Sequence, residues 1–217
     1  MVSVDSRHNR SHAGFMRRLK ISVTYRFREK ASVFLTELHP VRDAAERAAV
    51  LGALRKRDFD ATHHCSAWRE GVPVSAFGAD DDGEPSGTAG RPMLAVLEGA
   101  EATDLIAICI RWFGGTKLGT GGLVRAYTEG VQGALAAADA AGAWEAVRML
   151  RIGGIRVPLD QAHLPFTLLG AFPSVAVLDQ AFEDGSAVLR FECPPDLVPA
   201  LERAWRDRSR GGAVHWE

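Results

Sequence analysis

At 217 residues with 47% hydrophobic content, the chain can bury a sizeable core as one large domain or two small ones, and its pattern reads as two. A formal charge of −1 and a pI near 6.7 exclude bulk attraction to polyanions, so any nucleic-acid contact has to come from a local basic patch. Cys65, Cys109 and Cys193 are widely spaced and form no C-x-x-C pair, which argues against a disulfide framework or structural zinc and implies a reducing, cytoplasmic setting.

No apolar run reaches the length of a membrane span, and the polar start MVSVDSRHNRSHAG lacks the apolar region of a secretory signal, so no membrane partner is expected. Residues 1–18 read as a disordered arm. Leu19 to Arg28 alternates polar and apolar residues, and Ala31 to Leu38 does so again, which predicts a hairpin. Asp43 followed by Glu46 resembles a capping box and predicts a helix over Ala44 to Lys56. Strands are predicted over Ala61–Trp68, Val72–Phe77 and Leu105–Ile110, and a helix over Ala89–Glu98 with Pro92 in its first turn. A long helix over Leu123–Ala140 carries Leu123, Tyr127, Val131 and Leu135 on one stripe. Mixed strands and helices make residues 19–143 an α+β domain.

The pattern restarts at Arg148. Strand-like Leu150–Leu159, a short helix at Gln161–Leu169, strands Ser174–Phe182 and Ala187–Cys193, a helix over Asp196–Arg208 and a last strand Ala213–Trp216 follow in order. That βαββαβ order predicts a ferredoxin-like domain over residues 148–217.

Two glycine-rich loops stand out. The second runs over Gly114, Gly115, Lys117, Gly119, Thr120, Gly121 and Gly122 and leads into a helix carrying Arg125. Free backbone N–H groups at that helix start, beside Lys117 and Arg125 and capped by Thr120, suit an anion such as phosphate. A tight structural turn is the other reading, and the spacing is neither a Walker A loop nor G-x-G-x-x-G. In the first loop, Asp81, Asp82 and Glu84 crowd carboxylates together. They read as a solvated acidic turn or as hard oxygen ligands for a divalent cation; no cofactor is expected, the cation being the one possibility left open. Arg91 and the C-terminal Arg203, Arg206, Arg208 and Arg210 form a secondary basic set that reads as a solvated face or as an RNA contact. His63 and Cys65 share a strand face and read as packing.

DDGEPSGTAGRPM at Asp81–Met93, FGGTKLGTGGLVRAY at Phe113–Tyr127, HHC at His63–Cys65, and Lys30, Ser32 and Phe34 together resemble the IMPACT family. The likeness covers most of Lys20–Ala138, with Asp80 and Trp112 as departures. It implies an N-terminal domain folded like the second domain of the fifth small-subunit ribosomal protein, and a C-terminal domain resembling one of elongation factor G. It also implies a translation-related role, since eukaryotic members regulate translation through protein partners. Three readings therefore stay open. The first is a non-enzymatic, translation-associated binding protein contacting RNA or the ribosome, without DNA sequence recognition. The second is a metal-assisted enzyme acting on a nucleotide or phosphorylated small molecule, and the third a protein-interaction regulator.

Overall fold

The computed structural model describes residues 15–209 and 212–217. The chain divides into two compact units, one spanning Met16–Val147 and the other containing Arg148–Glu217.

In chain order the first unit holds β1 (Phe15–Leu19), β2 (Val23–Glu29), β3 (Ser32–Pro40), α1 (Ala44–Arg57), β4 (His63–Glu70), β5 (Ala76–Asp80), α2 (Gly90–Gly99), β6 (Ala102–Thr103), β7 (Leu105–Trp112), α3 (Thr120–Ala140) and β8 (Trp144–Arg148). Five strands form an antiparallel sheet in the order β2-β3-β7-β4-β5, and β6-β1-β8 make a smaller one. The unbroken apolar run of β7 follows from its central place. Leu105, Ala107 and Cys109 point into a core shared with α2 and α3, whereas Ile106, Ile108 and Ile110 pack beneath α1. A strand covered on both faces gains from apolar residues at every position.

α1 begins as its sequence predicts. Asp43 accepts the N–H groups of Ala45 and Glu46 at 2.8 Å, and Glu46 accepts that of Arg42. The predicted stripe on α3 is core, with Leu123, Tyr127, Val131 and Leu135 all at most 8% exposed. Burying each such side chain contributes about 1.5–3 kcal/mol.

Several boundaries differ from the sequence reading. Phe15–Arg18, assigned to the arm, belong to β1, whose pairing with β6 joins residues far apart in the chain; the rest of that arm lies outside the described residues. Residues 71–74 are turn, and β5 starts only at Ala76. Trp144–Val147, treated as the interval between domains, are strand. α3 starts at Thr120, three residues before the predicted Leu123, and Gly119 is its N-cap in place of Thr120. Gly121 and Gly122 are poor helix formers, which hid that first turn.

In the second unit β9 (Arg151–Pro158), α4 (His163–Leu169), β10 (Ala176–Glu183), β11 (Ser186–Cys193), α5 (Val198–Arg208) and β12 (His215–Trp216) follow in the predicted order. The antiparallel sheet runs β10-β11-β9-β12, the ferredoxin-like arrangement. Ile155, Leu189, Phe191, Leu201 and Trp205 fill its core. No helix among the described residues is long and apolar enough to cross a membrane.

Candidate functional site

Strand register brings both glycine loops to one end of the five-stranded sheet. Glu29 pairs with Ser32, Val33 with Trp112, His63 with Arg111, and Ser66 with Asp80. The β2–β3 turn, the start of β4 and the exits of β5 and β7 therefore share that end. Residues 81–89 and 113–119 leave from it and run directly into α2 and α3.

Each carboxylate of the first loop has a protein partner. Asp81 accepts the N–H groups of Ala89 (3.0 Å) and Gly90 (2.8 Å) through one oxygen and that of Gly87 (2.7 Å) through the other, so it caps α2 from eight residues away. Burial works against its ionisation, but the Gly87, Gly90 and Ala89 N–H groups outweigh it and hold the carboxyl below the usual range. Asp82 pairs with Arg55 at 2.6 Å and accepts the His64 N–H at 2.6 Å. Glu84 is buried, its side chain 3% exposed, and one oxygen accepts both an Arg111 guanidinium N–H and the Tyr127 hydroxyl, each at 2.6 Å. Arg111 also donates to the Ser32 hydroxyl at 3.2 Å. Glu84 thus ties the first loop to the strand that enters the second loop and to the helix that leaves it. Among the described residues no group of three or more His, Cys, Asp or Glu is arranged to hold a metal ion.

The second loop is built differently. Gly114, Gly115, Thr116, Lys117, Gly119, Thr120 and Gly121 are all exposed, as is Arg125 one turn into α3. A β-carbon at Gly114 would lie 1.9 Å from the Ala31 carbonyl oxygen, so only glycine lets this loop lie against the β2–β3 turn. Lys30 in that turn reaches the Lys117 carbonyl oxygen at 3.5 Å. Gly119 takes φ 72° and ψ 165° and offers no side-chain acceptor to the first turn of α3, which also lacks an acidic residue. Those first N–H groups and the helix dipole therefore face outward beside two cations.

His63 and Cys65 face the α2–α3 side of β4. The Cys65 sulfur lies 3.0 Å from the Asp81 carbonyl oxygen and 3.3 Å from the Tyr127 hydroxyl, and burial pushes its thiol well above the ordinary range, away from nucleophile chemistry. Burial likewise pushes the Tyr127 phenol up and keeps it a donor. The His63 Nδ1–H donates to the Asp82 carbonyl at 2.8 Å, and its Nε2 stands 3.9 Å from Glu84. Arg91 is exposed on α2, and Arg203, Arg206 and Arg208 are exposed on α5 in the other unit; Arg210 lies outside the described residues. Sequence reasoning missed Arg111. Its signal was present, because it is the one charged residue in the strand LIAICIRW.

Residues 30–135 match the Impact N-terminal domain, which covers most of the sheet, all of both loops and the Glu84–Arg111–Tyr127 cluster. An α+β unit with two glycine loops at one end of its sheet is thus an Impact N-terminal domain, here with a ferredoxin-like unit after it. The chain belongs to the IMPACT family. It is 45% identical over 108 residues to the IMPACT family member YigZ of Escherichia coli, covering 49% of this chain and 53% of that protein. With an IMPACT family member of Haemophilus influenzae it shares 42% identity over 118 residues, 54% of this chain and 57% of that one. The matched stretch therefore spans about half the length of these curated relatives. A crystal structure described as that of a hypothetical protein matches at TM-score 0.57 and 30% identity, over 94% of this chain and 96% of that one.

Proposed function

We propose that this chain is a non-enzymatic, translation-associated binding protein of the cytoplasm that contacts phosphate groups of RNA or the ribosome at the start of α3. One observation carries the reading: the acid-free stretch 113–121, exposed except at Leu118, presents the amino end of a 21-residue helix between Lys117 and Arg125. Backbone N–H groups of that kind bind phosphate oxygens, and the two side chains add charge where the whole molecule has almost none. Membership of the IMPACT family supplies the link to translation, and exposed Arg203 and Arg206 offer the second unit as a further basic surface. Phosphoryl transfer through Asp81, Asp82 and Glu84 draws no support from the geometry, since all three carboxylates are held by protein donors.

Co-sedimentation with ribosomes on a sucrose gradient, at low and physiological salt, tests the proposal. Wild type should travel with a ribosomal fraction, while a Lys117→Ala, Arg125→Ala double variant should stay at the top. Equal behaviour of the two proteins at every salt concentration would sink it. If the association survived RNase and the double substitution together, a protein partner would replace RNA as the explanation.

A further inference from the structure

Beside the proposed phosphate contact, an exposed aromatic ring is held by a buried cation. Phe113 is 43% exposed at the exit of β7. The Arg111 guanidinium lies over its ring, 5.4 Å from the centroid, and also over the Phe34 ring at 5.5 Å. Glu84 and Ser32 hold that guanidinium, whose side chain is only 5% exposed. The Phe113 backbone is fixed as well, its N–H donating to the Thr62 hydroxyl at 3.0 Å. Such a ring loses little freedom when something stacks on it.

The surroundings specify what would stack. Exposed Lys117 follows four residues after Phe113, and the exposed Lys30 of the β2–β3 turn reaches its backbone carbonyl oxygen. A second aromatic, Phe59, is 83% exposed in the segment that enters β4 at the same end, just after the basic last turn of α1 with Arg55, Lys56 and Arg57. The acids flanking Phe59 are engaged, Asp58 with Arg57 and Asp60 with the Trp112 indole N–H. Duplex RNA would satisfy the cations alone, because its bases are stacked on one another. Exposed rings between cations suit a strand whose bases are free.

We propose that this end of the first unit is a platform for single-stranded RNA, with Phe113 stacking on a base while Lys30, Lys117 and Arg125 contact flanking phosphates. The proposal rests on the phosphate reading above and adds the form of the strand and the residue that reads it.

Fluorescence anisotropy tests it with a labelled single-stranded RNA of about 12 nucleotides and its duplex, across a series of salt concentrations. Wild type should prefer the single strand. Phe113→Ala should weaken that binding by about five- to a hundredfold without changing the salt dependence, and Phe113→Trp should retain it. The Lys117→Ala, Arg125→Ala variant should instead flatten the salt dependence for both forms. Equal affinity of wild type for strand and duplex would overturn the proposal. So would Phe113→Ala and Phe113→Trp both binding as wild type does while the double variant fails, an outcome that leaves the phosphate reading standing. Failure of wild type to bind either form would also overturn it, while the phosphate reading would still stand or fall on the ribosome gradient.

Discussion

Between Asp80 and Thr120 the chain twice leaves the same end of one sheet and enters a helix through glycine, and the two passages treat the helix start in opposite ways. At α2 the chain supplies its own anion: Asp81 takes three backbone N–H groups, and Asp82 and Glu84 are paired with Arg55 and Arg111. At α3 the N-cap is Gly119, with no acceptor side chain and no acid in the first turn. The first loop is closed by internal electrostatics, and the second turns the same physics outward. Glycine density alone therefore does not tell the two loops apart. What separates them is whether a carboxylate of the same chain already answers the helix start.

Breaking the closed loop should have the largest effect. Glu84→Gln leaves Arg111 buried without its counter-charge and should lower unfolding free energy by about 3–5 kcal/mol in chemical denaturation. A loss under about 1 kcal/mol would mean that water screens the pair and that the two loops are energetically separate.

Asp81→Ala should come next, at about 1–2 kcal/mol, the range for losing a helix N-cap. The same residue sets a pH dependence. Its folded pKa lies below the ordinary value of 3.8, so the unfolded chain takes up the proton first as pH falls. The stabilisation is complete above that value and is lost as pH drops through the folded pKa. The gap in unfolding free energy between wild type and Asp81→Asn should then shrink below about pH 4. A gap constant from pH 7 to pH 3 would show that charge is not what closes this loop.

Giving the second loop what the first one has should sharpen the contrast. Thr120→Asp puts a carboxylate in the first turn of α3 and should raise stability by about 0.3–1 kcal/mol while weakening RNA binding. Unchanged binding would detach the helix start from the phosphate contact. The smallest effect on stability belongs to Lys117→Ala with Arg125→Ala, expected within about 0.5 kcal/mol of wild type, because both side chains are exposed. A larger loss in thermal unfolding would make them structural.

Local patterns were legible wherever the physics is local. The Asp43–Glu46 cap, the Leu123–Leu135 stripe and the βαββαβ order of the second unit all read correctly, because each depends on neighbours within a few turns or on simple alternation. Both glycine loops and the acidic cluster were visible too, as were the cations beside the second. Boundaries failed where pairing is long-range: β1 is held by β6, some eighty residues on, and nothing in Phe15–Arg18 announces that. Arg111 lies just past the predicted strand Leu105–Ile110, and its role follows only from its contact with Glu84, 27 positions earlier in the chain.

Residue identities alone thus settled the alternation, the helix periods, the glycines and the near absence of net charge, which is why the family resemblance and both fold classes could be read directly. Only the tertiary structure decided which acids are occupied and which helix start is exposed. Those outcomes turn on pairs such as Glu84 with Arg111, Asp82 with Arg55 and Gly114 with Ala31, separated by 27, 27 and some eighty positions in the chain. Electrostatic and steric contacts of that span are set by strand register, and register belongs to the folded sheet as a whole.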